Sequence, residues 1–222
     1  MRSLFLSFTC LFLIFSCVEN SSSASMHKVF SHEFIKLRNS SDFDIIDLDS
    51  ITNYSELLKK MNLLNCEDKI VGIQFKWENT QYHLIGISGC PALGEIACYF
   101  NRNHLYIKND SIYSGFGKER TQQPIEDLHL VLESIMETPY KYRYDSHKLN
   151  QALISFHVTD DQPVTTISRT LKEIVSEFYR INLTKGAGFF EYDVLFEDHD
   201  VSLLPPPPPP PLQGDENIYT LN

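Results

Sequence analysis

The pattern of apolar and polar positions is clearest between Ala152 and Ile181. Ala152, Ile154, Phe156 and Val158 alternate with Leu153, Ser155 and His157, the two-residue period of a strand with one buried and one solvated face. Thr159-Asp160-Asp161-Gln162 supplies side chains that favour turns and helix entry, and Pro163 suits the first helical position, where its missing N–H loses no bond. Val164, Ile167, Leu171, Ile174, Val175 and Phe178 then recur at three- and four-residue steps, with Arg169, Lys172, Glu173 and Glu177 between them. This spacing predicts an amphipathic helix lying on a sheet.

The rest of the chain is arranged around this unit. Asp42, Asp44, Asp47 and Asp49 interleave with Phe43, Ile45, Ile46 and Leu48; clustered carboxylates suit a hard cation, but the run lacks the glycine turn and terminal Glu of an EF-hand loop. It reads instead as an edge strand with a solvated face. Asn53 and Glu56 form a capping box that opens a helix carrying Leu57, Leu58, Met61 and Leu64 on one side. KIVGIQFKW and YHLIGIS flank Glu78-Asn79-Thr80 as an antiparallel hairpin with weak points at Gly72 and Gly86, and IACYF predicts a further strand. HLYIK and SIYSG straddle Asn109-Asp110 as a second hairpin.

A helix is expected from Gln123-Pro124 with Ile125, Leu128, Val131, Leu132 and Ile135 buried, stopping at Thr138-Pro139. After the central strand and helix, residues 182–188 form a turn. The last strand then points Phe190, Tyr192, Val194 and Phe196 inward and Glu191, Asp193 and Glu197 outward. The pattern predicts an α+β fold. A mixed or antiparallel sheet carries two helices on one face in the C-terminal half, preceded by a helix and a small antiparallel sheet.

The two ends differ from this body. Leu4 to Val18 is mostly apolar behind a single Arg2 and is shorter than the roughly twenty residues a membrane-spanning helix needs, so it reads as an export signal. Leu13-Ile14-Phe15-Ser16-Cys17 resembles the lipobox of bacterial lipoproteins. That resemblance implies cleavage before Cys17, lipidation of Cys17 and tethering at a bacterial membrane facing the periplasm or exterior. The alternative is an ordinary secretory signal cut near 22–25. The expected division is a signal at 1–16, a Ser-rich tether at 17–28, an N-terminal α+β region at 29–103, a second α+β module at 104–198, and a tail at 199–222 containing the uninterrupted run Pro205 to Pro211. Losing the signal with its Arg2 leaves 18 basic against 29 acidic side chains, a net charge of −11. This argues against nucleic acid and anionic membrane surfaces as general partners.

Residues 104–198 read strand, strand, helix, strand, helix, strand. With LYIKNDSIY ahead of one helix and ALISFHVTDDQPV leading into TTISRTLKEIVSEF, this segment resembles the periplasmic domain of the ExbD/TolR family of biopolymer transport proteins. The resemblance implies a protein-binding or self-associating envelope module. Family members carry an N-terminal transmembrane helix with an embedded Asp that couples to proton flow; Leu4 to Val18 is short and has no acidic residue, so motor activity is not implied here.

Little in the chain points to catalysis. There is no phosphate-binding glycine loop, nucleophile elbow, zinc-protease helix motif or C-x-x-C pair, and no cofactor site is read. His157, beside Asp160 and Asp161, is the best catalytic candidate; Cys90 with His83 on a neighbouring strand is a second, and either would suit a secreted small-molecule hydrolase. Cys90 and Cys98 can close a small disulfide loop that leaves Cys66 free, or all three can be small core residues. Asn20, Asn39, Asn53, Asn109 and Asn182 each begin an N-x-Ser/Thr triplet, the acceptor pattern of a eukaryotic secreted glycoprotein. The leading expectation is a lipid-anchored, non-enzymatic envelope module whose partner is another envelope protein or a second copy of itself.

Overall fold

A computed structural model describes residues 26–89, 103–114, 120–138 and 148–200. They build an α+β fold on one mixed sheet. Its strands are β1 (His27–Phe30), β2 (Phe43–Asp47), β3 (Ile70–Trp77), β4 (Thr80–Ile87), β5 (Asn103–Lys108), β6 (Ser111–Ser114), β7 (Thr121–Pro124), β8 (Ala152–His157) and β9 (Tyr192–Phe196). They lie in the order 2-3-4-9-8-5-6-7, with β1 also beside β4. The helices are α1 (His32–Leu37), α2 (Tyr54–Cys66), α3 (Leu128–Glu137) and α4 (Val164–Lys185). The pairs β2/β3, β5/β8 and β8/β9 are parallel, and each is connected through a helix because a parallel neighbour cannot be reached by a tight turn. The expected boundary at 103/104 falls at the first residue of β5, and strands from both sides of it share the sheet through the parallel β4/β9 contact.

Local chemistry explains most elements. Asn53 Oδ1 accepts the Glu56 N–H at 2.8 Å, and the Glu56 carboxylate turns back to accept from Thr52 N at 2.9 Å and Thr52 Oγ1 at 2.6 Å. The capping box therefore forms, with its return bond one residue earlier than the pattern predicts. Asn53→Ala is expected to lower stability by about 1 kcal/mol in a denaturant melt. The hairpin β3–β4 forms as expected. Gly72 and Gly86, however, are packing requirements: a Cβ on Gly72 would sit 2.5 Å from Phe43 Cζ, and one on Gly86 2.7 Å from Ile73 Cδ1 and 2.8 Å from Met61 Cε. Phe43–Asp47 is an edge strand, paired on one side with β3.

The sequence pattern does not predict strand β1 or helix α1, and three further elements depart from it. Gln122 and Gln123 pair with Tyr113 and Ile112, which makes 121–124 an exposed edge strand. The following helix therefore starts at Leu128 after a single tight turn at Ile125–Asp127, and not at Gln123. Pro124 is tolerated in that strand because its missing N–H lies at the sheet edge. Helix α4 continues one turn past Ile181, because Asn182 within it donates to Phe190 O and accepts from Phe190 N, both at 2.9 Å. Strand β8 is buried on both faces as far as Phe156, with Leu153 and Ser155 on its second face each 3% exposed and His157 half-buried. The strand expected at IACYF lies outside the described residues.

The main core lies where α2, α3 and α4 pack on one face of the sheet. Leu57, Met61, Leu132, Leu171, Ile174 and Phe178 meet Ile73, Leu84, Ile154, Phe156, Val194 and Phe196 there. Helix α1 covers part of the opposite face, with Phe34 edge-on to Phe43 at 5.2 Å and over His83 at 5.0 Å.

Candidate functional site

His157 ends β8, where its Nδ1 lies 3.2 Å from the Glu197 carbonyl oxygen; since a carbonyl only accepts, Nδ1 carries the proton. Its ring meets Tyr54 edge-on at 5.7 Å, and the Tyr54 hydroxyl donates to Phe156 O at 2.7 Å. Asp160 accepts from Ser55 Oγ at 2.7 Å. His157 thus fastens the ends of β8 and β9 and has no serine or cysteine nucleophile among its described hydrogen-bond partners. Cys17, Cys90 and Cys98 lie outside the described residues. Cys66, at the C-terminal end of α2, is disulfide-bonded, which corrects the expectation of a free or purely core thiol. His83 is 6% exposed, stacked on Phe30 at 4.5 Å, and neither ring nitrogen has a hydrogen-bond partner among the described residues. Burial, then the charges of Lys28 and Arg38, push it down to about 4, so it is neutral at neutral pH.

The second face of β5, β8 and β9 carries a polar chain that local patterning did not assemble. His104 Nε2 lies 2.8 Å from Ser155 Oγ, which donates to Glu197 Oε1 at 3.1 Å. Burial holds His104 below and Glu197 above their ordinary ranges. A nucleophilic serine site places the imidazole between hydroxyl and carboxylate. Here the hydroxyl is in the middle and Ser155 is only 3% exposed, while His104 at the end of the chain is exposed beside the cavity between β5 and α3, so the arrangement is a hydrogen-bond network that satisfies Ser155 and does not activate it.

A third cluster surrounds Glu191, which is buried at the entrance to β9. His32 Nδ1 lies 2.8 Å and Lys36 Nζ 3.4 Å from its Oε1, and Lys148 engages Oε2. Burial alone would raise this carboxyl. The hydrogen bond and charge of Lys148, with Lys36 and His32, outweigh it and hold the group down. Nearby Asp193 accepts from Gln151 Nε2 at 2.7 Å, and burial followed by the charges of Glu33 and Glu191 pushes it up to about 6. Donor atoms of His32, Glu33 and Glu191 lie within 4.8 Å of one another, a set chemically able to hold a divalent cation. The Lys36 ammonium, 3.3 Å from Glu33 and 3.4 Å from Glu191, already supplies positive charge between the two carboxylates.

Beside this cluster, α1 and the C-terminal half of α4 enclose a groove of about 120 Å³. Phe30, Ile35, Val175, Tyr179, Leu183 and Tyr192 form its apolar lining. Leu183 is 68%, Ile35 47% and Tyr179 37% exposed. A larger cavity of about 600 Å³ lies between β5 and α3 and has a mixed lining, with Asn103, His104, Gln123 and Asp127 beside Leu130 and Val131. The groove had a partial sequence signal: Tyr179 and Leu183 are four residues apart on a helix whose buried stripe runs through Val175 and Phe178. Their exposure was not legible, because it depends on where α1 lies.

Three of the glycosylation triplets have their asparagine side chains in use. Asn53 caps α2, Asn109 Oδ1 accepts from Thr159 N at 3.0 Å, and Asn182 is bonded both ways to Phe190. No helix among the described residues is long and apolar enough to cross a membrane. No family model, curated protein or solved structure matches this chain.

Proposed function

We propose that the chain is an exported interaction module that engages a protein partner through the groove between α1 and α4, tethered to the envelope by a lipid on Cys17. The observation that carries this reading is the convergence of Ile35, Tyr179 and Leu183, all large, apolar and exposed, on one groove. Contiguous apolar surface in water is unfavourable by about 25 cal/mol per Å², and its persistence on a folded body is characteristic of binding surfaces. The disulfide at Cys66 supports export, since such bonds persist in oxidising compartments. The order of the His104–Ser155–Glu197 chain, with a buried hydroxyl in the middle, supports a binding role over a hydrolytic one.

A photo-reactive amino acid placed at Leu183 of the exported chain is expected to yield an intermolecular cross-link to a protein. The same group at exposed Lys59 on α2 serves as the control. Equal yields at the two positions would remove the groove from consideration. For the anchor, palmitate labelling is expected to disappear in Cys17→Ala.

A further inference from the structure

The sequence continues for 22 residues past Asp200, and seven of them, Pro205 to Pro211, are consecutive prolines. A proline run adopts an extended left-handed helix of about 3.1 Å per residue; it offers ring faces and carbonyl oxygens but has no N–H of its own. Its binding sites therefore combine aromatic walls with side-chain donors.

The groove has both. Phe30, Tyr179 and Tyr192 are aromatic, and Ile35 and Leu183 extend the apolar wall. Tyr192 is buried, and its hydroxyl has no hydrogen-bond partner among the described residues. The Ser31 hydroxyl of the same lining is its polar neighbour, outside ordinary hydrogen-bond geometry, and also caps α1 by accepting the Phe34 N–H at 3.2 Å. A buried phenol with only so poorly placed a neighbour is unfavourable, and a carbonyl oxygen entering the groove would give it a better acceptor.

The tail is long enough to reach. Asp200 is held by Lys108 Nζ at 2.7 Å, beyond the far end of β9 from the groove. The eight residue steps from Asp200 back to Tyr192 span at most about 27 Å. Five steps from Asp200 to Pro205 cover up to about 17 Å, and the tract adds about 19 Å.

We propose that this groove is a polyproline-binding site whose resident occupant is the chain's own Pro205–Pro211 segment, covering the surface through which the module engages its partner. The proposal rests on the reading of the groove as the binding surface. The partner would then have to displace the tract, and a partner segment rich in proline has the chemistry to do so.

The test compares the isotope-labelled full chain with a full-length variant in which the seven prolines are replaced by alternating Ser and Gly. Amide resonances of Ile35, Tyr179, Leu183 and Gly188 are expected to differ between the two, while those of β3 and β4 coincide. A synthetic peptide of residues 203–213, added to the variant, is expected to restore the resonance positions of the unaltered chain. The unaltered chain should need at least tenfold more peptide for the same shift, because its own tract competes at high effective concentration. In the variant background, Tyr192→Phe should weaken peptide binding about five- to tenfold with the sheet resonances retained, and Leu183→Asp should abolish it.

Identical groove resonances in the two full-length chains, or peptide-induced shifts confined to another surface, would overturn the proposal. Groove shifts that grow with protein concentration alongside a dimer in sedimentation would place the tract on a second copy and overturn the intrachain assignment. Intermolecular cross-linking from Leu183 that is equally strong with and without the prolines would refute the tract as occupant while leaving the groove as the interaction surface. Loss of both results would remove both readings.

Discussion

Phe156→Ala is expected to lower the unfolding free energy by about 3–5 kcal/mol, the largest single-residue effect on the sheet. Phe156 is fully buried in the central strand β8, with Phe196 of β9 edge-on at 5.3 Å and Tyr54 of α2 edge-on at 6.0 Å. Truncation removes both contacts and leaves a cavity bounded by two sheet neighbours and a helix whose backbones are hydrogen-bonded in place, so collapse into the space is limited. The Tyr54 hydroxyl reinforces this, since it donates to the Phe156 carbonyl and lies 3.0 Å from that of Glu197. Tyr54→Phe keeps the ring and removes only the hydroxyl, and should cost about 1–2 kcal/mol. Urea melts of the two variants separate packing from hydrogen bonding: both midpoints fall with unchanged slope, Phe156→Ala further. A loss below about 1 kcal/mol for Phe156→Ala would mean that the three elements can close over the gap, contrary to a rigid junction.

His83→Phe should make the protein progressively more stable than its parent as the pH falls from neutral to about 4. In the folded state His83 is pushed down to about 4 from an ordinary 6.5, so between these values the unfolded chain binds the extra proton. Stability attributable to this residue is therefore full above pH 6.5, is lost as the pH falls, and falls no further below about 4. A shift of that size corresponds to about 3 kcal/mol. Phenylalanine also suits the site, since His83 already stacks on Phe30 and its two ring nitrogens have no hydrogen-bond partner among the described residues.

Asp193 works in the opposite direction. Its folded value is raised to about 6, so its contribution favours the fold at low pH and is lost as the pH rises through that value. The total pH profile mixes the two, but the difference between parent and His83→Phe isolates His83, because Asp193 is present in both. A difference that does not change between pH 7 and pH 4 would show that His83 titrates as if exposed.

The helices and hairpins whose signals lie within a few residues were legible. The apolar stripe of α4, the Asn53 cap and the β3–β4 hairpin each depend on neighbours in the chain, and within the aspartate run an edge strand forms at Phe43–Asp47, where Asp44 and Asp47 on opposite faces are both exposed. Strand β7 was not legible, since TQQP has no alternation to display when neither face is buried. The double burial of β8 was missed for the opposite reason: Ser155 looks solvated in sequence, and only the tertiary structure brings the His104 and Glu197 side chains onto it.

The same distinction governs the sites. His104, Ser155 and Glu197 come together through the parallel pairing of three strands, and Glu191 meets His32 across 159 positions. No local period encodes strand order, because order is set by which crossover helices can cover the sheet. By itself the chain determined an apolar N-terminal run, a proline-rich tail and a set of amphipathic helices and strands, all short-range properties of composition and spacing. Only the tertiary structure decided that the His157 side chain fastens two strand ends and that Ile35, Tyr179 and Leu183 share a groove. Exposure and hydrogen-bond partnership depend on what packs alongside, and here those neighbours come from distant parts of the chain.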